Sequence, residues 1–295
     1  MYLKFKSAFV WAAIVVAAFT TPIANAVLVK SADQQASLDL GASIPQACMI
    51  IGRDAQGNFV NYAGTGALVS RYFVVCSRHG VTMNQDGVNK YPKLTVAFGP
   101  NGFDTHFAGN QLFVEEQDVF LSPTRDVALI RLPVQPTDEL GNPITPIPFA
   151  TTEPPLGTIL VFAGYGGKGD PSIAGPGVYG TMDGNLAAGR GHYYSKNPII
   201  VEPNLWGMRY DTISSTPLAA IYSGGDSGGP TMIDNNGQLL LLGINDTVGG
   251  SGINTKSCFE SFLNNNGEVL DWIDSTIAAN QPDPDSDGDG IRDSV

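Results

Sequence analysis

Gly224-Gly225-Asp226-Ser227-Gly228-Gly229-Pro230 sets one serine between pairs of glycines. Residues without side chains on both flanks permit a tight backbone turn that aims two N–H groups at a common spot, where a developing negative charge would be held. A serine hydroxyl is a poor nucleophile at neutral pH. It needs an imidazole to take its proton and a buried carboxylate to keep that imidazole in the right tautomer. Two upstream stretches supply them. Cys76-Ser77-Arg78-His79-Gly80 follows the apolar run Tyr72-Phe73-Val74-Val75, and Asp126 heads Val127-Ala128-Leu129-Ile130-Arg131-Leu132. An apolar strand after Asp126 would carry its carboxylate into a dry place, where an ionised acid stabilises imidazolium far better than it does in water. The expectation is a catalytic triad of His79 as base, Asp126 as orienting acid and Ser227 as nucleophile.

Chain order decides between the folds that host such a triad. Gly225-Asp226-Ser227-Gly228-Gly229 also satisfies the G-x-S-x-G pattern of α/β-hydrolases, in which the acid and the histidine follow the serine. The three histidines, His79, His106 and His192, all precede Ser227, so that reading fails. An order with the acid before the histidine would draw on Asp33, Asp39 or Asp54, none in a recognisable context. The order histidine, aspartate, serine remains, and the three stretches together resemble the trypsin/chymotrypsin family of serine proteases. Gly64-Thr65-Gly66-Ala67-Leu68-Val69-Ser70 looks like the strand before the catalytic histidine. Val269 to Ile277 resembles the C-terminal helix, with Leu270, Ile273 and Ile277 at helical spacing to face a barrel.

The resemblance covers about residues 47 to 279 and implies an all-β fold: two packed six-stranded antiparallel β-barrels with a C-terminal α-helix and the active site in the cleft. It assigns proteolysis through an acyl-enzyme to His79, Asp126 and Ser227, and the oxyanion hole to the amides of Gly225 and Ser227. It also puts a substrate pocket at Ile221 and Tyr222, with Asp246 on the wall. Ile221 stands where trypsins carry an aspartate, so a basic substrate side chain would lack a partner there unless Asp246 supplies one from the side; apolar or small residues at the cleavage position are expected. In trypsins the residue before the serine pairs with an N-terminus freed by zymogen cleavage. No Ile-Val-Gly-Gly string is present, which leaves two routes: Val27, freed by signal peptidase, supplies the amine, or Asp226 is satisfied internally. Ser77-Arg78 replace the small residues usual before the histidine. Cys48, Cys76 and Cys258 allow at most one disulfide, its pairing open. The family's bridge beside the histidine is absent, its two positions being Gly64 and Gly80.

Short β-rich runs broken by turn residues support the all-β reading: Cys48–Ile51, Gly66–Val69, Tyr72–Cys76, Lys93–Phe98, Gln111–Val114, Val127–Leu132, Thr158–Ala163 and Gln238–Ile244. A formal charge of −12 argues against nucleic acid as a partner. Residues 1–26 carry Lys4 and Lys6, an apolar run from Ala8 to Phe19, and Ala24-Asn25-Ala26, a signal peptide with its cleavage site. The run is shorter than a bilayer span needs. The expected product is a secreted, extracellular monomer, with the periplasm or cell surface as alternative destinations, acting on protein or peptide substrates without a cofactor in catalysis. Residues 27–46 read as an N-terminal arm or a short propeptide. Beyond Ala279, residues 280–295 form an acidic tail in which Asp285, Asp287 and Asp289 stand at alternate positions, with glycine for a sharp turn and Asp293 further on. This resembles a thrombospondin type 3-like calcium loop, with a solvated acidic tail as the other reading.

Overall fold

The computed structural model describes residues 27–103, 111–167, 169–170, 182–195, 205–209, 216–249, 256–263 and 267–281. The signal-peptide stretch, His106 and the four tail aspartates lie outside these residues. Strand β1 (Leu28–Val29) and helix α1 (Gln34–Ala42) open the described chain. A first curled antiparallel sheet follows, built from β2 (Ala47–Arg53), β3 (Phe59–Ser70), β4 (Phe73–Cys76), β5 (Lys93–Phe98), β6 (Gln111–Glu115), β7 (Val119–Leu121) and β8 (Ala128–Arg131). Its order is β6-β5-β2-β3-β4-β8-β7. The sheet thus has seven strands where the family resemblance implies six. The count rises because β6 and β7 follow one another with only the turn Glu116–Asp118 between them, β6 pairing with β5 at one edge and β7 with β8 at the other.

The second sheet closes as a six-stranded barrel. It uses β9 (Ile159–Gly164), β10 (Ala187–Ser195) and β11 (Leu205–Arg209), while β12 (Ala220–Ile221) pairs instead with β1. The barrel is completed by β13 (Pro230–Asn235), β14 (Gln238–Gly249) and β15 (Lys256–Ser261), and α2 (Glu268–Ala279) ends the fold. Two curled antiparallel sheets and a C-terminal helix make the mostly-β, chymotrypsin-like architecture that the sequence implies.

Two-residue periodicity explains how one chain fills three cores. In β2, Met49 and Ile51 point into the layer between the sheets, whereas Cys48 and Ile50 point into the first sheet's own interior. β4 repeats this with Phe73 and Val75 against Val74 and Cys76. From the other side, Val161, Ala163 and Tyr165 enter the shared layer, and Leu160, Phe162 and Phe259 fill the second barrel. Val269 and Ile273 of α2 are buried in the shared layer, with Leu270 and Ile277 partly buried against it. The sheets are therefore joined by a continuous apolar contact, which fixes the cleft above it.

All three cysteines are free and buried. Cys48 and Cys76 pair with Gly66 from opposite sides, two strand spacings or about 9.5 Å apart, beyond the reach of a disulfide. Residues 27–42 belong to the packed fold: Val27, Leu28 and Val29 are buried, and Ser37 Oγ donates to the Ala188 carbonyl at 2.7 Å. Among the described residues no helix is long and apolar enough to cross a membrane.

Candidate active site

His79 begins a single helical turn just after β4, and Asp126 ends the loop that leads into β8. Because β4 and β8 are paired neighbours, Cys76 opposite Ala128, the register alone brings the two residues to the same end of the sheet. His79 Nδ1 lies 2.5 Å from Asp126 Oδ2, and the His79 backbone N–H donates to Asp126 Oδ1 at 2.8 Å. Burial opposes the charge on Asp126. The hydrogen bonds and charge of His79, with the Arg78 guanidinium nearby, outweigh it and hold the carboxyl below its ordinary range. Arg78 itself is anchored: its side chain donates to the Ser122 carbonyl at 2.8 Å and its N–H to the Asp126 carbonyl at 3.3 Å.

Ser227 comes from the second barrel, in the turn before β13. Gly225 and Gly228 have φ of +95° and +83°, the left-handed region where side chains are strained, and a Cβ on Gly228 would strike the Thr65 carbonyl and the backbone of Cys76 and Ser77. The turn therefore rests directly on the strand end that leads to His79. From β3, Thr65 donates its N–H to the Ser227 carbonyl and its hydroxyl to the Gly225 carbonyl, both at 2.9 Å. Ser227 Oγ donates to the Asp246 carbonyl at 3.3 Å. A polar cavity of about 440 Å³ is lined by Arg78, His79, Asp86, Arg125, Asp126 and Asp246, among others.

The amides of the turn divide into two groups. Those of Ser223, Asp226, Gly228 and Gly229 are all used within the protein. The exposed Gly224 and the half-buried Gly225 and Ser227 have no acceptor for their N–H groups among the described residues. The latter two are the amides that the sequence reading assigns to an oxyanion.

Asp226 is fully buried. Its carboxylate accepts the Gly166 N–H at 2.9 Å, the Ser223 N–H at 2.7 Å and hydroxyl at 3.0 Å, and the backbone N–H of Val27. Burial outweighs these donors and pushes its pKa up to about 6. Internal donors and Val27 thus serve the same carboxylate.

The residues read as a substrate pocket separate. Asp246 lines the cavity beside His79. Ile221 and Tyr222 are buried: pairing of β12 with β1 seals Ile221 against Leu28, and the Tyr222 ring meets Phe162 while its hydroxyl bonds Thr231 Oγ1 at 2.7 Å. Neither borders that cavity. Sequence reasoning missed Thr65, the buried Asn245 and the Arg125–Glu260 ion pair at 3.7 Å, whose partners are far apart in the chain. Among the described residues no group of His, Cys, Asp and Glu side chains is arranged to hold a metal ion.

Residues 64–244, more than half of the chain, match the trypsin-like peptidase domain. The chain belongs to that family. No curated protein matches its sequence. Among solved structures it is similar to human heparin binding protein, with a TM-score of 0.56 and 16% identity over 83% of this chain and 96% of that one. A mutant of the same human protein gives a TM-score of 0.58 at 17% identity with the same coverage. At such identity the likeness to these structures concerns the trypsin-like fold alone.

Proposed function

We propose that this trypsin-like chain is a secreted serine endopeptidase that cleaves protein or peptide substrates through an acyl-enzyme. The observation that carries the reading is the 2.5 Å His79–Asp126 contact, with a serine turn packed on the strand end that leads to His79 and its Gly225 and Ser227 amides without an acceptor among the described residues. Ser227 attacks the peptide carbonyl while His79 accepts its proton. The oxyanion then takes hydrogen bonds from the Gly225 and Ser227 N–H groups. Collapse expels the amine, which receives the proton back from His79, and water repeats the cycle on the ester. Asp126 holds the ring and stabilises its charged form. No metal or organic cofactor enters this chemistry; calcium at Asp285, Asp287, Asp289 and Asp293 would be structural.

Export removes residues 1–26, and the mature chain begins at Val27, whose new α-amine faces Asp226. A fluorophosphonate probe tests the core of the proposal: the folded, mature protein is labelled at Ser227 and Ser227→Ala is not. Absence of labelling on fully folded mature protein overturns it.

A second reading, a non-catalytic binding protein on the same fold, draws on the name of human heparin binding protein. The −12 charge of this chain disfavours a polyanion such as heparin. The same labelling experiment separates the two readings.

A further inference from the structure

Planar trans peptides point their C=O and N–H groups in opposite directions. Whatever holds the carbonyl of residue 224 therefore sets where the Gly225 N–H points, and whatever holds the carbonyl of residue 226 sets the Ser227 N–H. Gly224 C=O accepts the Gly167 N–H at 2.7 Å, a backbone contact that any side chain would leave in place. Asp226 C=O accepts two donors, the Gly229 N–H at 2.9 Å and the side chain of Asn245 at 3.1 Å.

Asn245, on β14, is fully buried and its hydrogen-bonding capacity is spent around this turn. Nδ2 also donates to Ala163 C=O at 3.0 Å, and Oδ1 accepts Thr231 Oγ1–H at 2.7 Å. Thr231 in turn accepts the Tyr222 hydroxyl proton. The Asn245 backbone brackets the same residues: its N–H donates to Gly229 C=O and its C=O accepts the Gly228 N–H, both at 2.7 Å. One residue therefore ties β9, β13 and β14 to both sides of Ser227.

We propose that Asn245 is a positioning residue for the peptidase reaction: by gripping the Asp226 carbonyl inside the barrel it turns the Ser227 N–H outward to the oxyanion. The hydroxyl relay Tyr222–Thr231 orients its amide. The assignment rests on the peptidase reading above and goes beyond it in naming what holds the second oxyanion donor.

The test compares kcat and KM per titrated active site for the wild type, Asn245→Leu, Thr231→Val and Thr231→Ser. Asn245→Leu is expected to lower kcat by about tenfold to a hundredfold, approaching the loss of one oxyanion donor, with KM changed less than about twofold. Thr231→Val removes only the orienting hydroxyl and should lower kcat by about threefold to tenfold, the worth of one hydrogen bond; Thr231→Ser restores it. Should Asn245→Leu fail to fold, the Thr231 pair decides alone. A purely structural role would lower thermal stability and the yield of titratable sites but leave kcat per site at the wild-type value, and that result overturns the assignment. A wild type that neither reacts with fluorophosphonate nor cleaves peptides refutes the peptidase reading itself, a different and recognisable failure.

Discussion

A carboxylate that accepts from both the ring and the backbone of one histidine does two jobs, and substitution separates them. Asp126→Asn keeps the shape and, with its oxygen held by the His79 backbone N–H, turns an amide N–H toward Nδ1, favouring the wrong tautomer. Kcat at neutral pH is expected to fall by about 10⁴-fold while KM stays close to wild type, as steady-state kinetics on a peptide substrate will show. The same residue contributes to stability in a pH-dependent way. Its folded carboxyl titrates below the ordinary value because His79 and Arg78 favour its charge. The folded state therefore gains at all pH values above the unfolded carboxylate range, and the gain is lost as pH falls below about 4. Urea unfolding of wild type against Asp126→Asn between pH 7 and pH 3 should show the difference between them shrinking toward the acid end.

At the scale of elements, the loop carrying Asp126 is fastened to the second barrel by charge. Arg125 precedes Asp126, and its guanidinium meets Glu260 of β15 at 3.7 Å with side-chain exposures of 9% and 3%. Next to it, Thr124 Oγ1 donates to Glu268 in the first turn of α2 at 2.8 Å. Removing Glu260 alone leaves a buried guanidinium without its counter-charge, so Glu260→Leu should cost about 3–5 kcal/mol; Arg125→Met with Glu260→Leu should recover most of it. Denaturant unfolding as a double-mutant cycle measures both. Such a link was invisible in the sequence because it joins residues 135 apart on different sheets, and the same holds for Thr65 at the serine turn; Asn245 lies only 19 residues beyond Asp226 on the same barrel, but no local motif marks its side chain. The strands were legible wherever a short β-rich apolar run is bounded by turn residues, as in 48–51, 72–76, 93–98 and 127–132. They were not where glycine replaces apolar residues, as in β10, whose Gly189 lies where a Cβ would strike Ala220. Helix α1 has weak apolar periodicity and is held by tertiary contact, with Gly41 pressed on the backbone of Leu186 and Ala187. The approach of Asp126 to His79 was legible because each sits in a local motif, whereas the burial of Ile221 and Tyr222 was not, since a count back from Ser227 is blind to the pairing of β12 with β1.

For the whole molecule, the N-terminal residues and the serine turn are mechanically one unit. Val27 is buried with φ at +69°, a costly conformation for a β-branched residue, and its N–H reaches the Asp226 carboxylate. As a peptide it brings Asp226 a dipole; as a terminus it would bring a full positive charge and release the φ constraint, since no preceding carbonyl remains. The consequence is a stability profile that depends on where the chain begins. In a chain starting at an acetylated Ala26, with a neutral peptide before Val27 and no charged amine nearby, Asp226 titrates near 6 when folded and near 3.8 when unfolded. Between those values the folded state holds a proton that the unfolded state has lost, so stability falls as pH rises from about 4 to 6, by about 3 kcal/mol in all. In a chain starting at Val27 the ammonium keeps Asp226 ionised, and that loss should be absent up to the α-amine range near pH 8. Unfolding curves for the two chains at pH 4, 6 and 7 test this, with Asp226→Asn in the longer chain expected to flatten its slope. Matching profiles for the Ala26 and Val27 chains would mean that the terminus carries no charge to Asp226 and that the turn is set by its internal donors alone.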